Sequence, residues 1–412
     1  MIARPAPSSL LFEPGRIGSL EIRNRLVRAG TSETMAGPRC EVTDGLIALY
    51  ETLARNGVGL IITGHLYCHP RGQYAPRQTG IYEDDLIPGL RRLTEAVHRH
   101  GARIFAQVAH AGSQSRVPGN LPLAPSPVPN PLTGRDVAGA SEDEIQEAIT
   151  AFAAGARRAF AAAFDGVHIH GANGYLISEF SSPLTNRRAD GWGGSAEARD
   201  RFALEVARAV RAALPKHFPL AMKIGFVDAV PGGYGVEESV PRARKLVAAG
   251  LDAVEVSCNA MRLASDSAKE YVAVDRRRAL ADLLLHRVFS DPAPEAYFLP
   301  WARALRAQVD TTIILVGGMR RTETMEALLR NGDAEFIAMA RPFIREPDLA
   351  RQLAAGRRGH VDCTSCNLCL MHEGHHALRC WRVPRHRLLQ HAFYRLSGGF
   401  RTSHQESLSA VR

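Results

Sequence analysis

Three side chains at close spacing carry the first chemical signal. The segment His170-Gly171-Ala172-Asn173-Gly174-Tyr175 holds two side chains, His170 and Asn173, that can each donate a hydrogen bond to one oxygen, and a phenol, Tyr175, two residues further on. Donors fixed on one oxygen stabilise charge that gathers there during a reaction. A positioned phenol can supply a proton. A second signal is Gly317-Gly318, ahead of a helix expected from Thr322, together with Arg341. Bare amides at a helix start suit a phosphate, and an arginine adds a charge-assisted partner. The plainer alternative is a tight turn beside a surface arginine. The third signal is Cys363-Thr-Ser-Cys366-Asn-Leu-Cys369, followed by Cys380. Four thiolates from one short segment suit an iron–sulfur cluster or a four-cysteine zinc site. His372, His375 and His376 lie inside that loop, so mixed zinc ligands are a further alternative, and a metal-free relic is another.

These groups need elements to hold them. Apolar runs suited to strands cover residues 25–29, 58–63, 103–108, 166–170, 220–225, 253–257, 312–316 and 335–339. Most lack alternation, as parallel strands buried on both faces do. Helical patterns follow them. Ser141 and Glu144 form a capping box, and Thr43-Asp44 and Asp84-Asp85 are start signals. Gly250, Gly332 and Gly356 close helices. Strand–helix alternation eight times over predicts an α/β fold, a (β/α)8 TIM barrel. A doubly wound sheet would be expected to show Gly-x-Gly-x-x-Gly after its first strand, and this chain does not. The expected organisation is a barrel over 1–355, a short cysteine-rich C-terminal extension over 356–396 and a frayed basic tail over 397–412. Residues 118–136, rich in Pro, Asn and Gly, read as an inserted loop.

The chain has 412 residues, 45% of them hydrophobic, which is enough for a large core. Charged residues make up 23%, which argues against wholesale disorder. The net charge of +9 is spread without a long basic block, so an anionic cofactor or substrate accounts for it better than nucleic acid. No apolar stretch matches a signal peptide or a membrane span, so the expectation is a soluble, cytoplasmic protein. Seven cysteines, four of them clustered, point to a metal or iron–sulfur site over disulfides.

Barrel enzymes carry their chemistry at the C-terminal ends of the strands. Read in that order, the ends give Gln107-Val-Ala-His-Ala-Gly112, the His170–Tyr175 segment, Lys223, Gly317-Gly318-Met-Arg320 and Ala340-Arg341-Pro342. With Leu11-Phe-Glu-Pro-Gly and Asn24-Arg25, this resembles the old yellow enzyme family, the NADH:flavin oxidoreductases, over about 330 residues in family order. The resemblance implies an FMN cofactor, NAD(P)H as electron donor and a small-molecule substrate. It implies that His170 and Asn173 hold a substrate oxygen over the flavin and that Tyr175 protonates the substrate α-carbon. It also implies flavin contacts from Ala29, Gly30, Thr31, Gly64, Gln107, Lys223, Gly317, Gly318, Ala340 and Arg341. A lysine at position 223, where the family often has arginine, keeps the charge without the bidentate fork. Ala29-Gly30-Thr31-Ser32-Glu33 departs from the commoner pattern, and at Gly64-His65 either the glycine serves or the histidine narrows the site. His168 points the same way as His170, at a position where the family usually has a carboxylate or a small residue.

The four cysteines resemble the iron–sulfur segment of the trimethylamine dehydrogenase and dienoyl-CoA reductase branch, where a [4Fe–4S] cluster exchanges single electrons with FMN. The last spacer here is slightly shorter. The leading expectation is NAD(P)H-driven reduction of an activated alkene of enone or enoate type. The alternative is an oxidative N-demethylase or dehydrogenase passing electrons through a cluster to a separate electron-transfer protein. A third is a non-catalytic barrel whose basic C-terminus, six Arg to one Glu from Trp381 onward, binds a partner. A homo-oligomer is also compatible.

Overall fold

The computed structural model describes residues 9–117, 119, 121–129, 136–228, 231–259 and 295–399. Eight parallel strands close into a barrel: β1 (Leu26–Arg28), β2 (Leu60–Tyr67), β3 (Arg103–Ala109), β4 (Gly166–Gly171), β5 (Leu220–Gly225), β6 (Ala253–Ser257), β7 (Thr312–Val316) and β8 (Phe336–Met339). Every expected strand is present, and β8 pairs back onto β1 through Ile337 opposite Leu26. The main departure is β2. It runs on to Tyr67 with a register shift between Ile62 and His65. There the Gly64 N–H leaves the ladder and donates to Glu33 Oε1 at 2.8 Å. Such a bulge re-aims the side chain that follows it, here His65.

The main helices of the barrel are α1 (Asp44–Arg55), α2 (Ile87–His98), α3 (Glu142–Ala161), α4 (Ala196–Ala212), α5 (Val236–Ala248), α6 (Leu299–Arg306), α7 (Thr322–Arg330) and α8 (Leu349–Ala354), with short helical turns at Leu176–Ser181 and Arg341–Arg345. Thr43 caps α1, and Ser141 with Glu144 forms the capping box of α3. Asp84 and Asp85 lie in a 3-10 turn that leads into α2. Gly250, Gly332 and Gly356 all adopt positive φ.

Apolar side chains divide between two layers. Outward strand residues such as Ile61, Ile104, Ile169 and Val254 pack against the helices. Inward ones, among them Val27, Leu60, Phe105, Ala221 and Phe336, fill the barrel. An N-terminal hairpin, Gly15–Ile17 with Leu20–Ile22, adds Ile17 and Ile22 to that inner cluster. The pattern of strand candidates left this plug unread, because three-residue strands give too little periodicity.

Past α8, the extension contains the short helices Leu368–Met371 and His386–Leu396. The expected basic tail lies, from residue 400 on, outside the described residues, as do residues 118, 120 and 130–135 of the expected insertion. Within that insertion, Leu123–Ala124 pairs with Ala138–Gly139. No described helix is long and apolar enough to cross a membrane.

Candidate active site

A cleft of about 920 Å³ opens where the strand ends converge. Its floor includes Ala29, Gly30 and Thr31 after β1, Lys223 on β5 and Gly317 after β7. Tyr297 and Phe298 form one wall; Leu370, Glu373 and Leu378 of the extension form another. A smaller cavity lined by Gly317, Gly318, Arg320 and Arg341 adjoins it, sharing Gly317, Ala340 and Arg341.

Two glycines fit the cleft for structural reasons. Gly317 has φ +111°, and a Cβ there would lie 2.5 Å from the Tyr297 ring. A Cβ on Gly30 would lie 2.7 Å from the Gln107 amide and 2.8 Å from the Thr63 carbonyl oxygen. The segment after β1 is held from below. Buried Glu33 accepts from the Gly64 N–H and from the Tyr50 hydroxyl, and pairs with Arg28 at 3.2 Å. Gly64 is therefore engaged by Glu33 and is not among the described residues lining the cleft. Thr31 Oγ1 is buried without a protein partner, as a group meant for a ligand would be. A glycine cradle, an unmet hydroxyl and a guanidinium beside a backbone nest suit a flat cofactor carrying a phosphate, and FMN fits this donor set.

Beneath the floor lies a four-residue chain across β3 to β6. Gln107 stands opposite His168, and Lys223 opposite Glu255. Gln107 Nε2 lies 3.2 Å from His168 Nδ1, and His168 Nε2 lies 3.0 Å from Glu255 Oε2. The other Glu255 oxygen meets the Lys223 ammonium. Burial lowers the His168 pKa, against the opposing pull of Glu255. Burial disfavours the Glu255 carboxylate, yet Lys223 and His168 outweigh it and hold its pKa below the ordinary value.

His170 lies near the end of β4, with Asn173 and Tyr175 in the loop that follows, and of the three only Asn173 is among the residues lining the cleft. His170 is buried, and burial, followed by the Lys223 charge, drives its pKa far down. The Ala172 N–H approaches His170 Nδ1 at 3.4 Å, which leaves the proton on Nε2. Asn173 sits at φ 62° and its Oδ1 accepts from the Ser257 hydroxyl at 3.2 Å. Its Nδ2 is thereby turned outward as a donor. The Tyr175 ring lies 4.7 Å from the His170 ring. Burial, and then the neighbouring Tyr74 and Glu373, raise the Tyr175 pKa well above 10. Asn173 lines the cleft directly.

All four extension cysteines, Cys363, Cys366, Cys369 and Cys380, line one small cavity beside Arg341. Burial raises the thiol pKa at Cys363, Cys366 and Cys369, and Arg341 lowers it at Cys363 and Cys369. Among the described residues no three His, Cys, Asp or Glu side chains are gathered as a single-ion site. Cys369, Asn367 and Arg341 line both this cavity and the main cleft. His372, His376 and His391 form a separate hydrogen-bonded row against Trp381.

Sequence reasoning left several residues of the site without a role. Tyr297, Phe298, Glu255, Gln78 and Glu373 come from distant segments and carry no motif. Glu255 was the most accessible of them, as a charged residue inside an apolar strand run.

Residues 10–360 match the model of the NADH:flavin oxidoreductase / NADH oxidase family. The chain is 35% identical over 363 residues to the NADH oxidase of Thermoanaerobacter brockii, covering 87% of this chain but 53% of that one. It thus spans about half the length of that relative. It is 35% identical over 378 residues to the 4,4'-dithiodibutanoate disulfide reductase of Rhodococcus erythropolis, covering 89% of this chain and 93% of the other. The old yellow enzyme homologue of Zymomonas mobilis superposes with a TM-score of 0.69 at 27% identity, over 86% of this chain and 96% of that one.

Proposed function

The chain belongs to the NADH:flavin oxidoreductase / NADH oxidase family, and from that premise we propose that it is an FMN-dependent NAD(P)H oxidoreductase that reduces an activated alkene. One observation carries this reading. Two side-chain N–H donors, His170 Nε2 and Asn173 Nδ2, are left outward by their own partners, beside a buried, protonated phenol. Bound in the cleft, FMN supplies hydride transfer from NAD(P)H to the substrate β-carbon. Gly317, Gly318 and Arg341 would hold its phosphate, Thr31 would meet the ring, and Gln107 and the Lys223–Glu255 pair would lie beneath it. His170 and Asn173 grip the substrate oxygen more tightly as negative charge moves onto it. Tyr175 gives its proton to the α-carbon.

The second reading is electron transfer through an iron–sulfur cluster. It rests on Cys369, which faces both the cysteine cavity and the cleft. Four thiols around one cavity suit an iron–sulfur cluster or a four-cysteine zinc site. An anaerobic visible spectrum tests both readings. A flavin spectrum bleached by NAD(P)H and restored by 2-cyclohexen-1-one supports the first. A broad iron–sulfur absorption lost in Cys369→Ser supports the second. Protein that stays colourless after incubation with FMN overturns the flavin readings.

A further inference from the structure

The bulge in β2 delivers His65 to the acid of the site. His65 Nε2 lies 3.3 Å from the Tyr175 hydroxyl oxygen. Which partner donates is decided on the far side of the ring, where Gln78 Nε2 lies 2.6 Å from His65 Nδ1. The orientation of the Gln78 amide is itself fixed. Its Oε1 accepts from the Tyr74 N–H at 2.6 Å, and its Nε2 donates to the His65 carbonyl at 2.8 Å. Gln78 therefore presents N–H to Nδ1, Nδ1 accepts, and the ring proton sits on Nε2. His65 then donates to the Tyr175 oxygen, and the phenolic hydrogen is turned away from His65.

We propose that His65, locked in one tautomer by Gln78, is a positioning residue that makes Tyr175 a donor toward the substrate and receives the phenolate that forms. The inference rests on the reading of Tyr175 as the acid. In the step, the Tyr175 O–H bond breaks, a C–H bond forms at the α-carbon, and the electron pair left on the phenolate oxygen accepts the His65 N–H. A hydrogen bond to a charged group is stronger than one to a neutral group, so the contact tightens as the proton leaves.

The extension reaches the same place. Leu378 N–H donates to the Glu33 carbonyl at 2.8 Å, and Gly374 N–H donates to Thr34 Oγ1 at 3.1 Å. These contacts seat Glu373 with Oε1 3.9 Å from His65 Nε2. Glu373 is thus a competing acceptor for the hydrogen that His65 gives Tyr175.

Stopped-flow half-reactions on the holoenzyme test the proposal. His65→Leu should slow reoxidation by 2-cyclohexen-1-one by about 10- to 100-fold relative to flavin reduction by NAD(P)H. His65→Gln, which keeps an N–H near the same place, should recover most of it. In a Tyr175→Phe background, His65→Leu should add nothing. Histidine 15N NMR of the flavin-free protein should find the His65 proton on Nε2. A His65→Leu effect that persists without Tyr175, or a proton on Nδ1, overturns the role of His65 alone. Unchanged reoxidation in Tyr175→Phe overturns the acid reading and the inference with it.

Discussion

Glu255 on β6 faces Lys223 on β5 and pairs with its ammonium, while the second Glu255 oxygen takes His168 at 3.0 Å. Both members of the pair are almost wholly buried. The charge that sequence reading assigned to the flavin thus arrives already matched by a carboxylate from the next strand. Position 168 has a clear place in this arrangement: it carries the contact from Glu255 on to Gln107.

Breaking one half of this pair should cost more than removing both halves. Glu255→Gln leaves Lys223 buried without its partner, and about 3–5 kcal/mol of stability should go with it. Lys223→Met with Glu255→Gln should be much milder than the sum of the single changes. Urea unfolding of the flavin-free variants measures this, and additive losses would mean that the pair is not coupled.

Asn173→Ala removes one of the two donors proposed to hold the substrate oxygen. Loss of a comparable donor in other enzymes lowers turnover by about 10²–10³-fold. A similar fall is expected in enone-driven reoxidation, with FMN content unchanged. A variant that reoxidises at the parent rate would show that the amide does not touch the reacting oxygen.

Gly317→Ala asks the chain to place a Cβ 2.5 Å from Tyr297, at a φ that side chains avoid. The Tyr297 wall must shift or the loop must turn, and either disturbs the cradle. The expected result is a folded barrel with weakened FMN affinity, read by fluorescence titration. Affinity equal to the parent would place the cofactor elsewhere.

His110 is buried, and burial, then His69 and Arg71, push its pKa down to about 3. The unfolded chain binds this proton near pH 6.5 and the folded chain does not. The stability from neutral His110 is therefore full above about pH 6.5 and is lost as pH falls toward 3, by about 1.4 kcal/mol per unit. Melting temperatures between pH 7.5 and 5 should fall less steeply in His110→Gln than in the parent. Parallel slopes would remove His110 from the account of acid lability.

The barrel was legible in the sequence because its strands are buried on both faces, so each appears as an uninterrupted apolar run such as Leu220–Gly225. The proposed substrate-binding segment was legible for a different reason. His170, Asn173 and Tyr175 lie within six consecutive residues at the end of β4, so their spacing already contains their proximity. The four cysteines likewise share one segment and one cavity. The β2 bulge was not legible, because the signal for it is a hydrogen bond to Glu33, 31 residues away in the chain.

Sequence alone thus determined which groups the protein carries at its strand ends. Tertiary structure decided which of them touch. Tyr175 and His65 are 110 residues apart, and only closure of the barrel sets them 3.3 Å from each other. Glu255 and Lys223 become partners because β5 and β6 are neighbours in register. Glu373 enters the site only because the extension folds back onto Glu33 and Thr34. Hydrogen bonds act over about 3 Å and in fixed directions. Proton placement at His65 is therefore set by Gln78 and Tyr74, neighbours that no local pattern encodes.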